Sequence, residues 1–247
     1  MKKLTVAQQK GGVGKTNTLF HLAHYFSDQG KKVAVIDIDT QANLSWSLEH
    51  YKQATYTAYD FFVGDININN ITSEENIVLF EAIPELLNLE AESLSVVGEQ
   101  FKKNVDALSS KFDICLIDTA PALGVRLTSA LYAADFTYTP IEMAGYSVNG
   151  LNMMIQTIEN LKSANPTLSF IGVIPSRFNG RHKTQVQNLE DLRKNTDLLA
   201  PIKITERVAI ADAAFYKQPV WKLKKGARDA IKEMREFGKF IESKMEL

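Results

Sequence analysis

The chain has 247 residues, 45% hydrophobic and 23% charged, with a net charge of −1. That balance suits a folded protein with a full core and excludes disordered and low-complexity classes. A lone cysteine, Cys115, excludes a disulfide framework and multi-cysteine metal clusters, as expected of a reducing, cytoplasmic compartment. No run of 18 apolar residues occurs, and Met1-Lys2-Lys3 leads into only a short apolar run, so neither a membrane span nor a signal peptide is expected.

In chain order, Leu4 to Ala7 is predicted as a first strand, followed by a glycine-rich loop and a helix over Thr16 to Gln29. Lys32 to Ile38 is a second strand, and Tyr51 to Asn76, rich in Asn, Thr and aromatics, reads as a surface insertion. A helix over Glu99 to Ser110 then precedes a strand at Phe112 to Ile117, and a helix over Val125 to Ala134 precedes one at Phe136 to Ile141. Next come a helix over Ser147 to Ala164, a strand at Phe170 to Ile174, and helices over Thr184 to Asn195 and Ala227 to Met245. The strands are short, β-rich and mostly unalternating, as strands buried on both faces should be. Their alternation with helices predicts an α/β fold: one domain over residues 1–247, with a mostly parallel twisted sheet covered on both faces.

The glycine-rich loop lies between strand and helix, where backbone N–H groups converge on an anion. G-x-x-x-x-G-K-[ST] fits Gly14-Lys15-Thr16 but demands glycine where Gln9 stands, and an extra lysine, Lys10, follows. Gly11, Gly12 and Gly14 let the backbone close around phosphates, Lys15 can reach the β and γ oxygens, and Thr16 can hold Mg²⁺. Two strands end in carboxylates: Val33 to Asp39 carries Asp37 and Asp39, and Ile114 to Asp118 carries Asp118. In open α/β sheets these ends border the ligand crevice, where a carboxylate can hold Mg²⁺ through its waters or position an attacking water.

Three stretches together carry a resemblance: Lys10 to Thr16, Asp37-Ile38-Asp39-Thr40-Gln41-Ala42-Asn43, and Ile117-Asp118-Thr119-Ala120-Pro121-Ala122-Leu123-Gly124. They resemble the deviant Walker A, A′ and B motifs of the ParA/Soj branch of the ParA/MinD family of P-loop ATPases. The similarity extends to Ala82-Ile83-Pro84 and Gln218-Pro219-Val220. The resemblance implies a P-loop NTPase-like fold, ATP and Mg²⁺ as cofactors, and a homodimer joined face to face by ATP, with Lys10 reaching the partner's nucleotide. It implies catalytic roles for Lys10, Lys15 and Asp39, the last positioning or polarising the attacking water. It places Thr16 on Mg²⁺, Asp118 in support of the ion, and Asp37 in the magnesium site. The phosphate-binding set is then Lys10, Gly11, Gly12, Val13, Gly14, Lys15, Thr16 and Asn17, and the adenine contacts are Pro175, Ser176, Arg177, Thr205 and Glu206. Relatives usually read Asp-Pro-Gln-Gly-Asn where this chain has Asp39 to Asn43, which puts that loop's geometry in question.

From Arg177 to Arg228 there are twelve Lys and Arg against five Asp and Glu. Such a face can hold DNA phosphates without reading sequence. The expected contacts are Arg207, Lys217, Lys222, Lys224, Lys225 and Arg228, with Arg181, His182 and Lys183 in a second basic loop. Many relatives carry Ile-Pro-Arg-Asn-Val-Arg where this chain has Ile204-Thr205-Glu206-Arg207-Val208-Ala209, so two basic positions are lost. Cys115 and the pair His21 and His24 read as core rather than chemistry. The last helix mixes Glu233, Glu236, Glu242 and Glu246 with its cations, unlike the basic apolar helices that lie on membranes. The resulting expectation is a nucleoid-associated partition ATPase, discharged by a centromere-binding ParB-like adaptor. Alternatives are a protein-cargo-positioning ATPase, a MinD-like regulator and a metabolic P-loop enzyme.

Overall fold

The computed structural model describes residues 1–72, 74–144, 148–223 and 227–247. Six strands, β1 (Lys2–Val6), β2 (Val33–Asp37), β3 (Ile77–Phe80), β4 (Ile114–Asp118), β5 (Phe136–Glu142) and β6 (Ser169–Ser176), form one sheet in the order β3-β2-β4-β1-β5-β6. Every pairing is parallel, and β2 and β4 run in register from Val33↔Ile114 to Asp37↔Asp118.

The helices are α1 (Lys15–Asp28), α2 (Asn43–Ser47), α3 (Asp60–Val63), α4 (Leu94–Ala107), α5 (Val125–Ala133), α6 (Val148–Leu161), α7 (Lys183–Asn195), α8 (Val208–Phe215) and α9 (Arg228–Met245). They cover both faces of the sheet, which explains the unalternating strands. In β2, Val33 and Val35 pack into the core under α1 and α9, while Ala34 and Ile36 pack into the core under α4. Cys115 is fully buried on that second side and its thiol is pushed up to about 12 by burial, as a core residue would be.

Three expectations change. β3 is only four residues long, too short a run for its pattern to distinguish strand from buried helix. α8 has eight residues and no side-chain cap at its N-terminus to announce it. The stretch Tyr51 to Asn76 is not a mere surface insertion, because Phe61 and Phe62 are buried and Phe62 stacks on Phe101 at 4.3 Å between ring centroids. No described helix is long and apolar enough to cross a membrane.

Candidate nucleotide site

β1 lies between β4 and β5, and beyond its carboxyl end the chain turns back into α1. Gly12 (φ 75°) and Gly14 (φ 95°) take left-handed backbone angles, and a Cβ at Gly14 would lie 2.9 Å from Ser176 Oγ. Gly11 is not constrained in this way; a Cβ there would meet only Pro121, at 3.9 Å. The unorthodox Gln9 is explained by its neighbour Gln8, whose buried carboxamide oxygen accepts the N–H groups of Gln9 at 2.8 Å and Lys10 at 3.3 Å. Gln8 Nε2 in turn donates to the Pro140 carbonyl, so a side chain on a strand end shapes the turn that glycine shapes in the ordinary pattern.

The loop delivers Lys15 and Thr16 into the first turn of α1, where no side chain caps the free N–H groups. Thr16 Oγ1 donates to Asp118 Oδ2 at 2.7 Å. Burial pulls the Lys15 ammonium below the usual lysine range, against the opposing pull of Asp118 and Asp39. Burial, reinforced by Asp37, pushes Asp118 well above the usual carboxylate range. A cation or a bound polyphosphate therefore meets a preorganised but electrostatically unsatisfied cluster.

Asp37 departs from expectation. It is fully buried, its Oδ1 accepts the Asp39 N–H at 3.1 Å, and its Oδ2 accepts both the N–H and hydroxyl of Ser45 at 2.8 and 2.7 Å. Burial raises it to about 6, those hydrogen bonds opposing the rise. Its carboxylate holds the loop rather than facing the cleft. Asp39 does line the cleft, with Gly11, Gly12, Gly14, Lys15 and Thr16.

A second cavity of about 520 Å³ adjoins the loop on the β6 side, lined by Asn17, Ser176, Arg177, Thr205, Glu206 and Ile210 among others. Four of the five expected adenine contacts are thus brought together. Pro175 is not; it stays within β6, where its carbonyl accepts the Ile204 N–H at 2.8 Å. Arg177, itself at φ 50°, donates to the Gly12 carbonyl at 3.0 Å and pairs with Glu206 at 2.7 Å, spanning from phosphate loop to cavity rim. Lys10 is half exposed at the edge of the loop, with its ammonium 3.1 Å from Glu142 Oε2.

A family model described as an AAA domain matches residues 1–170. Protein IncC of Escherichia coli is 41% identical over 253 positions, spanning 100% of this chain and 70% of its own. The chromosome-partitioning ATPase Soj of Treponema pallidum is 31% identical over 188 positions, 74% of each chain. This chain belongs to the ParA/Soj-type partition ATPases. Among solved structures, an aspartate-to-alanine variant of Cyanothece McdA in complex with ATP has a TM-score of 0.82 at 28% identity, over 97% of this chain and 95% of that one. As a member of this family the chain is an ATP hydrolase whose cofactors are ATP and Mg²⁺.

Against the ParA/Soj reading the basic face is smaller than its composition promised. Arg207 is committed to Glu233 at 2.9 Å and Asp229 at 3.6 Å, and Lys217 to Glu49 at 2.5 Å with its ammonium 4.4 Å from the Trp46 ring centroid. Both are corrected from expected DNA contacts to internal ion pairs. Lys222 and Arg228 are exposed, although the Lys222 ammonium lies 3.5 Å from Asp28 Oδ1, and Arg181, His182 and Lys183 are exposed as well; Lys224 and Lys225 lie outside the described residues.

No sequence motif marks Gln8, the α8 wall of the cavity, or the aromatic rim of the phosphate cleft. Trp46 and Phe215 line that rim, 45% and 62% exposed with ring centroids 5.7 Å apart. A short run beginning with exposed Val208 and ending at Phe215 and Tyr216 was the available signal for α8.

Proposed function

We propose that residues 1–247 act as one ATP-driven switch for plasmid or chromosome partition, which binds DNA nonspecifically as an ATP-joined homodimer. A centromere-binding, ParB-like adaptor stimulates hydrolysis and releases it from the nucleoid. The observation that carries this reading is the phosphate loop with two lysines, one buried and one exposed. Lys15 sits inside the cleft, 6% exposed, while the Lys10 side chain is 50% exposed at its mouth.

In this reading the ATP phosphates lie against the loop backbone and the N-terminus of α1, where the helix dipole and free N–H groups favour negative charge. Lys15 neutralises the β and γ oxygens, and anion binding restores the proton affinity that burial removes. Thr16 and Asp118 would hold Mg²⁺. The donor set fits, because the Thr16 hydroxyl spends its proton on Asp118 and leaves its oxygen lone pairs to a hard cation. Bound there, the ion would neutralise charge developing on the phosphates. Asp39 orients the attacking water, and its own carboxylate is steadied by the Gln41 N–H at 3.0 Å. Asn17, Ser176, Thr205 and Glu206 border the cavity that takes the base and ribose.

Lys10 adds charge to the partner's phosphates only after two copies meet, so ATP binding and dimerisation become one coupled equilibrium. Doubling the exposed cations Lys222 and Arg228 then raises affinity for a polyanion. The test is fluorescence anisotropy of duplex DNA with full-length protein: binding with ATP and Mg²⁺, little with ADP, and a steep fall with salt. Equal affinity with both nucleotides would overturn the reading.

A further inference from the structure

Arg126 is a buried cation that the chemistry above does not use. It occupies the second position of α5, only 5% exposed. Its Nε donates to Glu90 Oε1 at 2.7 Å and its NH1 donates to the Ile38 carbonyl oxygen at 2.9 Å. Glu90 comes from a 3₁₀ segment, Pro84–Ala91, and its other oxygen accepts the Val125 N–H at 2.9 Å. That approach needs the glycine before α5, since a Cβ at Gly124 would lie 2.1 Å from Glu90 Oε2. A buried charge is tolerated when it is paired and hydrogen-bonded, and here three elements converge to satisfy it.

What the pair grips is the backbone between the two A′ carboxylates. The Ile38 N–H donates to the Asp118 carbonyl at 3.0 Å, and the next N–H, that of Asp39, donates to Asp37 Oδ1. The Ile38–Asp39 peptide is therefore held at its oxygen by Arg126 and at its nitrogen by Asp37. This peptide sets the direction in which the Asp39 side chain leaves the backbone. Arg126 also follows closely on the exposed residues Pro121, Ala122 and Leu123, so the outer loop and Asp39 share one anchor.

We propose that Arg126, clamped by Glu90, is a positioning residue for hydrolysis: it fixes the Ile38–Asp39 peptide and so aims the Asp39 carboxylate into the phosphate cleft. The inference rests on the assignment of Asp39 to the attacking water. Arg126 touches neither cleft, so its loss leaves nucleotide binding intact while the carboxylate loses its aim.

The experiment compares full-length wild type with Arg126→Met, Arg126→Lys, the double variant Arg126→Met/Glu90→Met, and Asp39→Ala. Turnover at saturating ATP and Mg²⁺, affinity for a fluorescent ATP analogue, and Tm are measured on each. Misplacing a catalytic group costs rate rather than affinity, so Arg126→Met is expected to lose about tenfold or more in kcat with Kd within about twofold. Arg126→Lys, keeping the charge without the planar fork, recovers only part of the rate. The double variant removes the stranded Glu90 carboxylate and recovers Tm, yet kcat stays low. A double variant with wild-type kcat beside an inactive Asp39→Ala overturns the inference alone. Asp39→Ala hydrolysing at the wild-type rate overturns the assignment of Asp39 and the inference with it.

Discussion

The Lys10 ammonium lies 3.1 Å from Glu142 Oε2 and 3.4 Å from the Ala144 carbonyl oxygen, so the exposed lysine of the phosphate loop is held by its own chain. Reaching a second subunit requires it to leave Glu142. Lys10→Ala is expected to abolish the ATP-dependent dimer, which a metabolic P-loop enzyme would not share. Glu142→Gln frees the lysine; a half-exposed ion pair is worth about 0.2–1 kcal/mol and each dimer breaks two of them, so the dimer should form at up to about thirtyfold lower protein concentration. Analytical ultracentrifugation with ATP and Mg²⁺ checks both. An unchanged or weakened dimer in Glu142→Gln would show that the ion pair does not restrain Lys10.

Asp118 reaches the cleft through the Thr16 hydroxyl, at 2.7 Å. Groups that orient a metal ligand typically contribute about 10–100-fold to metal affinity, and Asp118→Asn should weaken ATP binding by about that factor with Mg²⁺ present. With EDTA the two proteins should bind ATP alike. Isothermal titration in both buffers separates the cases, and an equal loss in both would place the role of Asp118 in the loop fold rather than at the ion.

DNA contact should rest on exposed cations and spare paired ones. Each phosphate contact contributes about 0.9 to the slope of log affinity against log salt, so Arg228→Ala is expected to lower the slope by about two in a dimer, and Lys222→Ala by less, because its ammonium lies 3.5 Å from Asp28 Oδ1. Arg207→Ala should lower Tm with little change in slope, because its guanidinium serves Glu233 and Asp229. Salt titrations by anisotropy decide between the two sets.

These corrections mark what the sequence made legible. The phosphate loop, Asp39 and Asp118 were readable because each lies in a contiguous motif closing a hydrophobic strand. β3 and α8 were not, since four and eight residues carry too little periodicity. Composition presents Arg207 and Lys217 as available cations because it records a charge and not its partner. Gln8 carries no local sequence signal because its role depends on two N–H groups turning back onto the side chain. The Arg126–Glu90 clamp joins residues 36 positions apart, and no local pattern marks the pairing.

His24 offers a pH test of the α1 core. It is 3% exposed, and burial, with smaller pushes from His21 and Lys222, lowers it to about 3, while burial lowers His21 to about 4. Between these values and the ordinary 6.5 the unfolded chain binds protons that the folded chain refuses. Stability is therefore full above about pH 6.5 and falls as pH drops, by up to about 1.4 kcal/mol per pH unit for each histidine. Asp37, raised to about 6, runs the opposite way over its own range, so the informative quantity is a difference between proteins. His24→Phe should lose less stability than wild type between pH 7 and pH 5 in urea melts; an identical loss would mean that His24 takes up its proton in the folded state.

The central claim, that ATP and a second copy of the chain complete one hydrolytic site, is tested most directly by gel filtration of Asp39→Ala with ATP and Mg²⁺. Asp39 lines the phosphate cleft without helping to build the phosphate loop, so its loss should spare binding and stop turnover. The account predicts a stable dimer that persists for as long as ATP is present and is absent with ADP. A monomer under both nucleotides would contradict it.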